Sequence, residues 1–444
     1  MPQSATPVFR FPGRAALPLE ASFDGGRLTS DGGLPWLAQA ESTLGLCAAF
    51  AAAIPDWRRG PVRHRLETLV RQRVFQIACG YEDQDDADTL RTDPLLKLVC
   101  GRLPDTAANL ASQPTLSRLE NAVDRRTCYH LALALGALYV RERERDGVPT
   151  HVVLDLDGTD DSTHGQQEGS AFHGYYRQHM YHPLLVFDGE THQLITAVLR
   201  RGNTHGSAGV KAVLKRVVGV LRRRWPRVRL EVRLDSGGAV PAIYEWCEQE
   251  RIPYTIGLPT NPRLTALAAP LVAEARRQRA ASGAEKVRLC GETVYQAESW
   301  EHPRRVIIKA EALPKGPNTR FVVTTRTDLP ETLYDWYVDR GDAENAIKDL
   351  KNACFADRLS DHRFWANQFR LLLHAAAYWL LDTLRRWLSQ QHVPRMQLDT
   401  LRLRLLKIGG RVYQLRDRVR LRLAASHPGQ PLWDQLAAYQ RLHE

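Results

Sequence analysis

Four acidic side chains stand where simple secondary structure would present them for metal-ion chemistry. The stretch His151–Asp157 (HVVLDLD) alternates Val and Leu with carboxylates, as a strand leading into a site does. Side chains repeat with period two along a strand, so Asp155 and Asp157 share one face; Asp155 is either the ligand itself or a support behind it. A later strand, Arg229–Leu234 (RLEVRL), runs directly into Asp235 and a Ser-Gly-Gly turn. Glu344 sits in YVDRGDAENAIKDLK. On one continuous helix Tyr337, Arg340, Glu344, Lys348 and Lys351 fall within a stripe roughly 80 degrees wide. Ala343, Ala346, Ile347, Leu350 and Cys354 form a separate apolar stripe suited to packing on a sheet. An exposed Glu344–Lys348 pair four residues apart explains neither Tyr337 nor the full register.

Three carboxylates with open coordination suit Mg2+, which binds through a few carboxylates and keeps waters for substrate phosphate oxygens; Mn2+ is an acceptable substitute. Two such ions roughly 4 Å apart stabilise both the attacking and the leaving oxygen of an in-line phosphoryl displacement. Lys348 and Lys351, on the Glu344 stripe, are placed to hold a phosphate backbone near the metals.

The elements that position these groups follow from the rest of the chain. Its 444 residues exceed what one core usually supports, so two or three domains are expected. Hydrophobic residues at 43% and charged residues at 25% exclude a disordered or collagenous chain. Basic residues outnumber acidic ones 61 to 50, a formal charge of +11, and only nine of the 61 are Lys. The guanidinium fork pairs bidentately with phosphate oxygens, so this balance favours a nucleic-acid partner. Arg370 and His374 interrupt the longest apolar stretch, so no membrane partner is expected. The N-terminus lacks the apolar block of a secretory signal, and the seven cysteines never form a C-x-x-C pair, which points to a reducing cytoplasm.

Residues 1–148 read as a mainly helical DNA-binding region. Its first twenty residues are expected to be irregular, and Gly25–Gly26 and Gly32–Gly33 to make two tight turns. The amphipathic Val62–Gly80 carries Arg63, Arg65, Arg71 and Arg73. Ser112–Val123 (SQPTLSRLENAV), with Pro114 at a helix start followed by Arg118 and Asn121, resembles the second helix of a helix-turn-helix that contacts DNA through Arg118; a helix resting on a neighbour with its charges solvated explains the same letters. From Thr150 the texture turns to β. Strands at His151–Asp157, Pro183–Asp188 and Gln193–Leu199 precede a helix (Ser207–Arg224), a strand (Arg229–Leu234), a helix (Val240–Glu250) and a strand (Pro253–Leu258). That is the order of the ribonuclease-H-like fold, an α/β class, and it brings the ends of the first and fourth strands together. Residues 149–259 are therefore the first part of a catalytic core, 260–330 a β-rich insertion, and 331–444 the second part with a C-terminal helical region.

The spacing Tyr337-(2)-Arg340-(3)-Glu344-(6)-Lys351 resembles the Y-R-E-K signature of DDE-type insertion-sequence transposases. Asp157-Gly158-Thr159 is similar to that family's first catalytic Asp with its Thr-bearing turn, and Asp235 stands at the second position. The segments FDGGRLTSDGGL and QPTLSRLEN resemble the bacterial DDE domain group 1 transposases. The resemblance implies Asp157, Asp235 and Glu344 as catalytic metal ligands, with Asp157 preferred to Asp155. It implies Tyr337 and Arg340 on transposon-end DNA near the cleavage point. The implied reaction is cut-and-paste transposition: metal-dependent cleavage at terminal inverted repeats, then transfer of the 3′-hydroxyl into target DNA. A homodimer in a synaptic complex and a cytoplasmic, nucleoid-associated location go with it. The alternatives are an inactive transposase acting as a terminal-repeat repressor, or a non-transposing nuclease on the same fold.

Other signals carry less. His164, His173, His179 and His182 lack zinc-site spacing and read as structural or surface histidines. The aromatics of HGYYRQHMYHP read as packing residues, and no G-x-S-x-G elbow supports a serine hydrolase.

Overall fold

The computed structural model describes residues 7–11 and 17–443. The chain forms two compact units, one of Met1–Ala122 with Ala376–Glu444 and one of Val123–Ala375.

The second unit is mixed α/β. Its eight-stranded sheet runs, from edge to edge, Val287–Tyr295, Arg304–Leu313, Gly316–Thr324, Tyr254–Leu258, Arg229–Leu234, His151–Gly158, Leu184–Asp188 and Leu194–Val198. The last three form an antiparallel meander, while Arg229–Leu234 and Tyr254–Leu258 lie parallel to His151–Gly158. Parallel neighbours need crossovers, and the helices Val210–Arg224 and Pro241–Gln249 supply them. Val210, Val213, Leu214, Val217, Val218 and Leu221 recur at the three-four spacing that buries one helix face. The helix ends in Arg222–Arg224, where positive charge suits the carbonyl-rich terminus.

The β-rich segment 260–330 is built onto the core sheet, and two expectations change. Gly316–Thr324 pairs with Tyr254–Leu258, so the three strands continue the same sheet and satisfy an edge that would otherwise be left unpaired. The boundary near residue 148 also moves: the helix Arg125–Arg143 belongs to the second unit, packed on the edge strand Leu194–Val198. A small sheet of Asp161–Ser162, Gln178–Tyr181 and Ala171–His173 rises between the first two core strands, where no strand was anticipated.

In the first unit, Leu34–Leu44, Leu46–Ala53, Leu66–Ala78, Pro94–Val99 and Gln113–Asn121 are helices. The C-terminal segment returns to this unit because the hairpin Gly410–Gln414/Val419–Leu423 takes Leu28–Thr29 as a third strand. Gly32 and Gly33 make the expected turn, closed by the Leu34 amide donating to the Asp31 carbonyl at 3.0 Å, and also a close approach: a Cβ on Gly33 would lie 2.2 Å from the Leu405 carbonyl oxygen. Gly26, at φ +81°, does occupy the left-handed region that glycine favours. The first twenty residues are not wholly irregular, since Val8–Phe11 pairs antiparallel with Leu19–Ser22; residues 1–6 and 12–16 lie outside the described residues. Arg73 is no surface cation. It is fully buried against Glu120 at 2.7 Å, and Arg71 pairs with Glu67 one turn away. No helix among the described residues is long and apolar enough to cross a membrane.

Candidate active site

Sheet register sets the first two carboxylates side by side. Arg233 is paired with Asp155 and Leu234 with Leu156, so the next residues, Asp235 and Asp157, leave the ends of two parallel neighbours together. Asp235 begins a short 3-10 turn, its Oδ1 accepting from the Gly237 amide at 2.9 Å. The third carboxylate comes from the helix Gly341–Cys354, whose buried Ala343, Ala346, Ile347 and Leu350 pack it on the His151–Gly158 strand. Glu344 lies in that helix's first turn and remains half exposed.

The single continuous helix expected through Tyr337 and Lys351 is instead two. Pro330–Val338 ends before Gly341–Cys354 begins, and the junction tightens to three-residue hydrogen bonds (Arg340 to Tyr337, Ala343 to Arg340). Gly341, a weak helix former, sits at the break. Arg340 therefore becomes the residue that opens the second helix, and its guanidinium bridges two carboxylates. Nη1 donates to Asp157 Oδ2 at 2.9 Å and Nη2 to Glu344 Oε1 at 3.2 Å.

Electrostatics follow from this crowding. Burial pushes the Asp157 carboxyl up to about 6, with Arg340 opposing and the nearby charges of Asp235 and Glu344 adding to the rise. Burial works against the charge on Arg340, yet Asp157, Tyr337, Asp235 and Glu344 together hold it firmly protonated. Among the described residues no three His, Cys, Asp or Glu side chains form a ready ligand group.

Asp155 has a different role from Asp157. Both its oxygens accept from Arg233 at 2.7 Å, in a pair 1% and 2% exposed. Arg233 also donates to the Trp336 carbonyl at 2.6 Å and stacks on the Trp336 ring. Tyr337 donates to the Leu234 carbonyl at 3.2 Å. These contacts dock the end of the Pro330–Val338 helix on the sheet, which is what holds Arg340 over Asp157. Gly257 makes room for it: a Cβ there would lie 2.7 Å from the Tyr337 hydroxyl.

Lys351 faces the turn after Asp157, with Nζ 2.9 Å from both the carbonyl and Oδ1 of Asp160. Burial would raise the Asp160 carboxyl, but Lys351 holds it below the usual range. Lys348 is exposed. Arg118 is exposed on the helix Gln113–Asn121 of the first unit.

Sequence reasoning missed Arg200 and set aside Tyr176 and His182. Burial depresses Arg200 to about 10, while Asp235 and Asp157 favour its charge; its Nη2 is buried with no hydrogen-bond partner. Gly158 has no side chain because His182 Nε2 and Arg200 Nη2 would lie 2.6 and 2.9 Å from its Cβ. Tyr176 is pushed up to about 12 by burial, with Asp160 and Asp157 adding to it. The His- and Tyr-rich string was a visible signal; Arg200, 43 residues from Asp157 in sequence, offered none.

Asp157 and Asp235 thus stand at neighbouring strand ends of a mixed α/β unit, with Glu344 joined to Asp157 through Arg340. A family model described as Transposase DDE domain group 1 matches residues 11–444, and the chain belongs to that family: it is a DDE-class DNA transposase. No curated protein matches it. Among solved structures, a piggyBac transposase synaptic complex with hairpin DNA is similar at 12% identity and TM-score 0.40, over 85% of this chain and 80% of that one. A Mos1 transposase paired-end complex with left transposon end is similar at 15% identity and TM-score 0.18, over 47% of this chain and 62% of that one.

Proposed function

We propose that Asp157, Asp235 and Glu344 are the catalytic carboxylates of a cut-and-paste transposase on a ribonuclease-H-like core. The observation that carries the reading is one guanidinium shared by Asp157 and Glu344 beside Asp235, on three elements distant in sequence. The residues fit a divalent metal: the donors are hard oxygens, and the cluster already accommodates a cation in the Arg340 guanidinium. Asp157, Asp235 and Glu344 would hold Mg2+ or Mn2+, as a pair of ions. Bound there, the ions would neutralise charge on the attacking and leaving oxygens of a phosphodiester.

The remaining groups orient the strand. Arg340 is a bidentate donor that can exchange carboxylate for phosphate oxygen. Lys348 is an exposed cation one turn past Glu344 and suits the DNA backbone. Lys351 steadies the Thr159–Asp160 turn behind Asp157, and Tyr337 holds the helix end in place. Water as nucleophile frees a transposon-end 3′-hydroxyl; that hydroxyl then attacks target DNA in the same site. Two ends must be cut together, which suits a homodimer on paired inverted repeats, working at the nucleoid. Arg118 contributes to end recognition.

The test mixes the full chain with a duplex bearing the element's terminal inverted repeats, with and without Mg2+. Metal-dependent nicking at the element boundary and joining to target DNA are expected, both abolished by Asp157→Asn or Glu344→Gln. Binding without metal-dependent cleavage would overturn the enzyme reading in favour of a repressor. Cleavage without joining would favour a nuclease.

A further inference from the structure

The first unit contains a polar cavity of about 500 Å³ that the catalytic site does not use. It lies between the loop Trp57–His64 and the start of the helix Gln113–Asn121, with Arg63, Arg91 and Arg118 on its walls. None of these three guanidinium groups pairs with a carboxylate among the described residues, and the Nε of Arg91 is buried with no hydrogen-bond partner. The carboxylates nearby are already committed. Asp56 takes Arg58 at 2.8 Å through both oxygens, and Asp88 accepts from the Gln113 amide at 3.3 Å. A buried donor left without an acceptor is costly, and Arg91 Nε is one; with Arg63 and Arg118 as exposed cations beside it, the cavity is short of an anion.

The walls are rigid. Gln72 exchanges two hydrogen bonds of 2.9 Å with the Ala111 backbone, and buried Arg73 joins Glu120. Arg102 ties the Arg63 carbonyl and His64 Nδ1 to the Asn109 carbonyl. Because Arg102 can only donate, Nδ1 of His64 accepts and the proton sits on Nε2, making His64 a neutral donor. Burial, then the charges of Arg102, Arg63 and Arg58, depress His64 to about 4. The three guanidiniums add to what burial does first. Ser112 and Thr115 add hydroxyls, and Trp57, 40% exposed, lines the cavity with the Arg58 guanidinium over its ring at 5.7 Å.

We propose that this cavity is a phosphate-binding site of the first unit, seating a backbone phosphodiester of transposon-end DNA through Arg63, Arg91 and Arg118. It rests on nucleic acid being the substrate and adds a place where that substrate is gripped independently of the metal site. Three unpaired guanidiniums can saturate the two non-bridging oxygens of one phosphodiester, each of which accepts more than one hydrogen bond. The face of the Trp57 ring that Arg58 does not cover is open to the sugar or base beside it.

The test is fluorescence anisotropy of the full chain with a terminal-repeat duplex in EDTA across a salt series, run beside the metal-dependent cleavage assay. Arg118→Gln and Arg63→Gln, both at exposed positions, are expected to weaken binding by about tenfold each and to lower the salt slope by about one per lost contact. Arg91→Gln should do the same, with circular dichroism reporting whether it stays folded. Inorganic phosphate and a mononucleotide are separate arms. Millimolar phosphate protecting wild type but not Arg91→Gln against thermal unfolding, while duplex binds far more tightly, supports a backbone site. Tight mononucleotide binding with duplex affinity unchanged in the variants would overturn the DNA assignment. Wild-type affinity and salt slope in Arg118→Gln and Arg63→Gln would overturn the site itself. Failure of wild type to cleave despite variant-sensitive binding would instead count against the catalytic reading and leave the pocket standing.

Discussion

Arg340 donates to Asp157 at 2.9 Å from a position 183 residues away in sequence, and its other terminal nitrogen reaches Glu344. One guanidinium thus occupies the space between two proposed metal ligands. Divalent ions and Arg340 must share or contest those carboxylates, because both are cations seeking the same oxygens.

Removing that cation should sharpen metal binding while damaging the reaction. Arg340→Gln is expected to bind Mn2+ several-fold more tightly in the absence of DNA, as followed by the loss of its free-ion electron paramagnetic resonance signal. End cleavage by the same variant should fall at least tenfold, since a phosphate-orienting fork is gone. Unchanged or weaker Mn2+ affinity would mean that Arg340 does not compete.

The two stacked aspartates should fail differently. Asp155→Asn leaves Arg233 buried without its anion, a change that typically costs about 3–5 kcal/mol. Asp157→Asn removes a carboxyl whose ionisation burial already disfavours, so little stability is expected to be lost. Urea unfolding followed by circular dichroism separates them: a large drop in midpoint for Asp155→Asn and nearly none for Asp157→Asn, although both lose cleavage. Equal midpoints would remove the structural role given to Asp155.

Acid should loosen the second unit through His182. Burial depresses its pKa to about 4 from an ordinary 6.5, and its Nδ1 donates to the Thr204 carbonyl at 3.0 Å. The native state then binds fewer protons than the unfolded chain between those values. Its contribution is complete above pH 6.5 and is lost as pH falls toward 4, on the order of 3 kcal/mol in all. His64 in the first unit slopes the same way and Asp157 the opposite way, so the informative quantity is the difference made by His182→Asn. That variant should flatten the fall of unfolding midpoint between pH 6.5 and 4; an unaltered profile would exclude His182 as a source.

Space under Tyr337 is another checkable point. Gly257→Ala would place a methyl 2.7 Å from the Tyr337 hydroxyl and 2.9 Å from the Ser236 amide nitrogen. Overpacking of this kind typically costs about 1–3 kcal/mol. Displacing the helix end should also cut cleavage more than it cuts duplex binding. Gly257→Ala combined with Tyr337→Phe, which loses the hydroxyl, should recover part of the stability in urea.

Local periodicity made much of this protein legible. A period of two in HVVLDLD and RLEVRL marks strands that end in carboxylates, and the apolar spacing of Ala343, Ala346, Ile347 and Leu350 marks a helix face that is in fact buried. Those patterns depend only on neighbours along the chain, as does the arginine excess. The same rule misled at the Tyr337–Lys351 stripe, because periodicity cannot register a junction where hydrogen bonding tightens for three residues. It also counted Arg73 and Lys351 as available cations, when Glu120 and Asp160 hold them.

Tertiary structure decided everything that depends on partners remote in sequence. The pairing of Leu234 with Leu156 sets Asp235 beside Asp157 and gives Arg233 to Asp155, so two aspartates on one strand face acquire different chemistry. The continuation of the sheet into Val287–Thr324, the return of residues 376–444 to the first unit, and the arrival of Arg200 beneath Gly158 follow from edges and cavities that had to be filled. The sequence by itself determined which side chains could carry the chemistry and on which kind of element. Which of them meet, and which are neutralised before any substrate arrives, was decided by sheet register and burial, because charge is governed by neighbours in space.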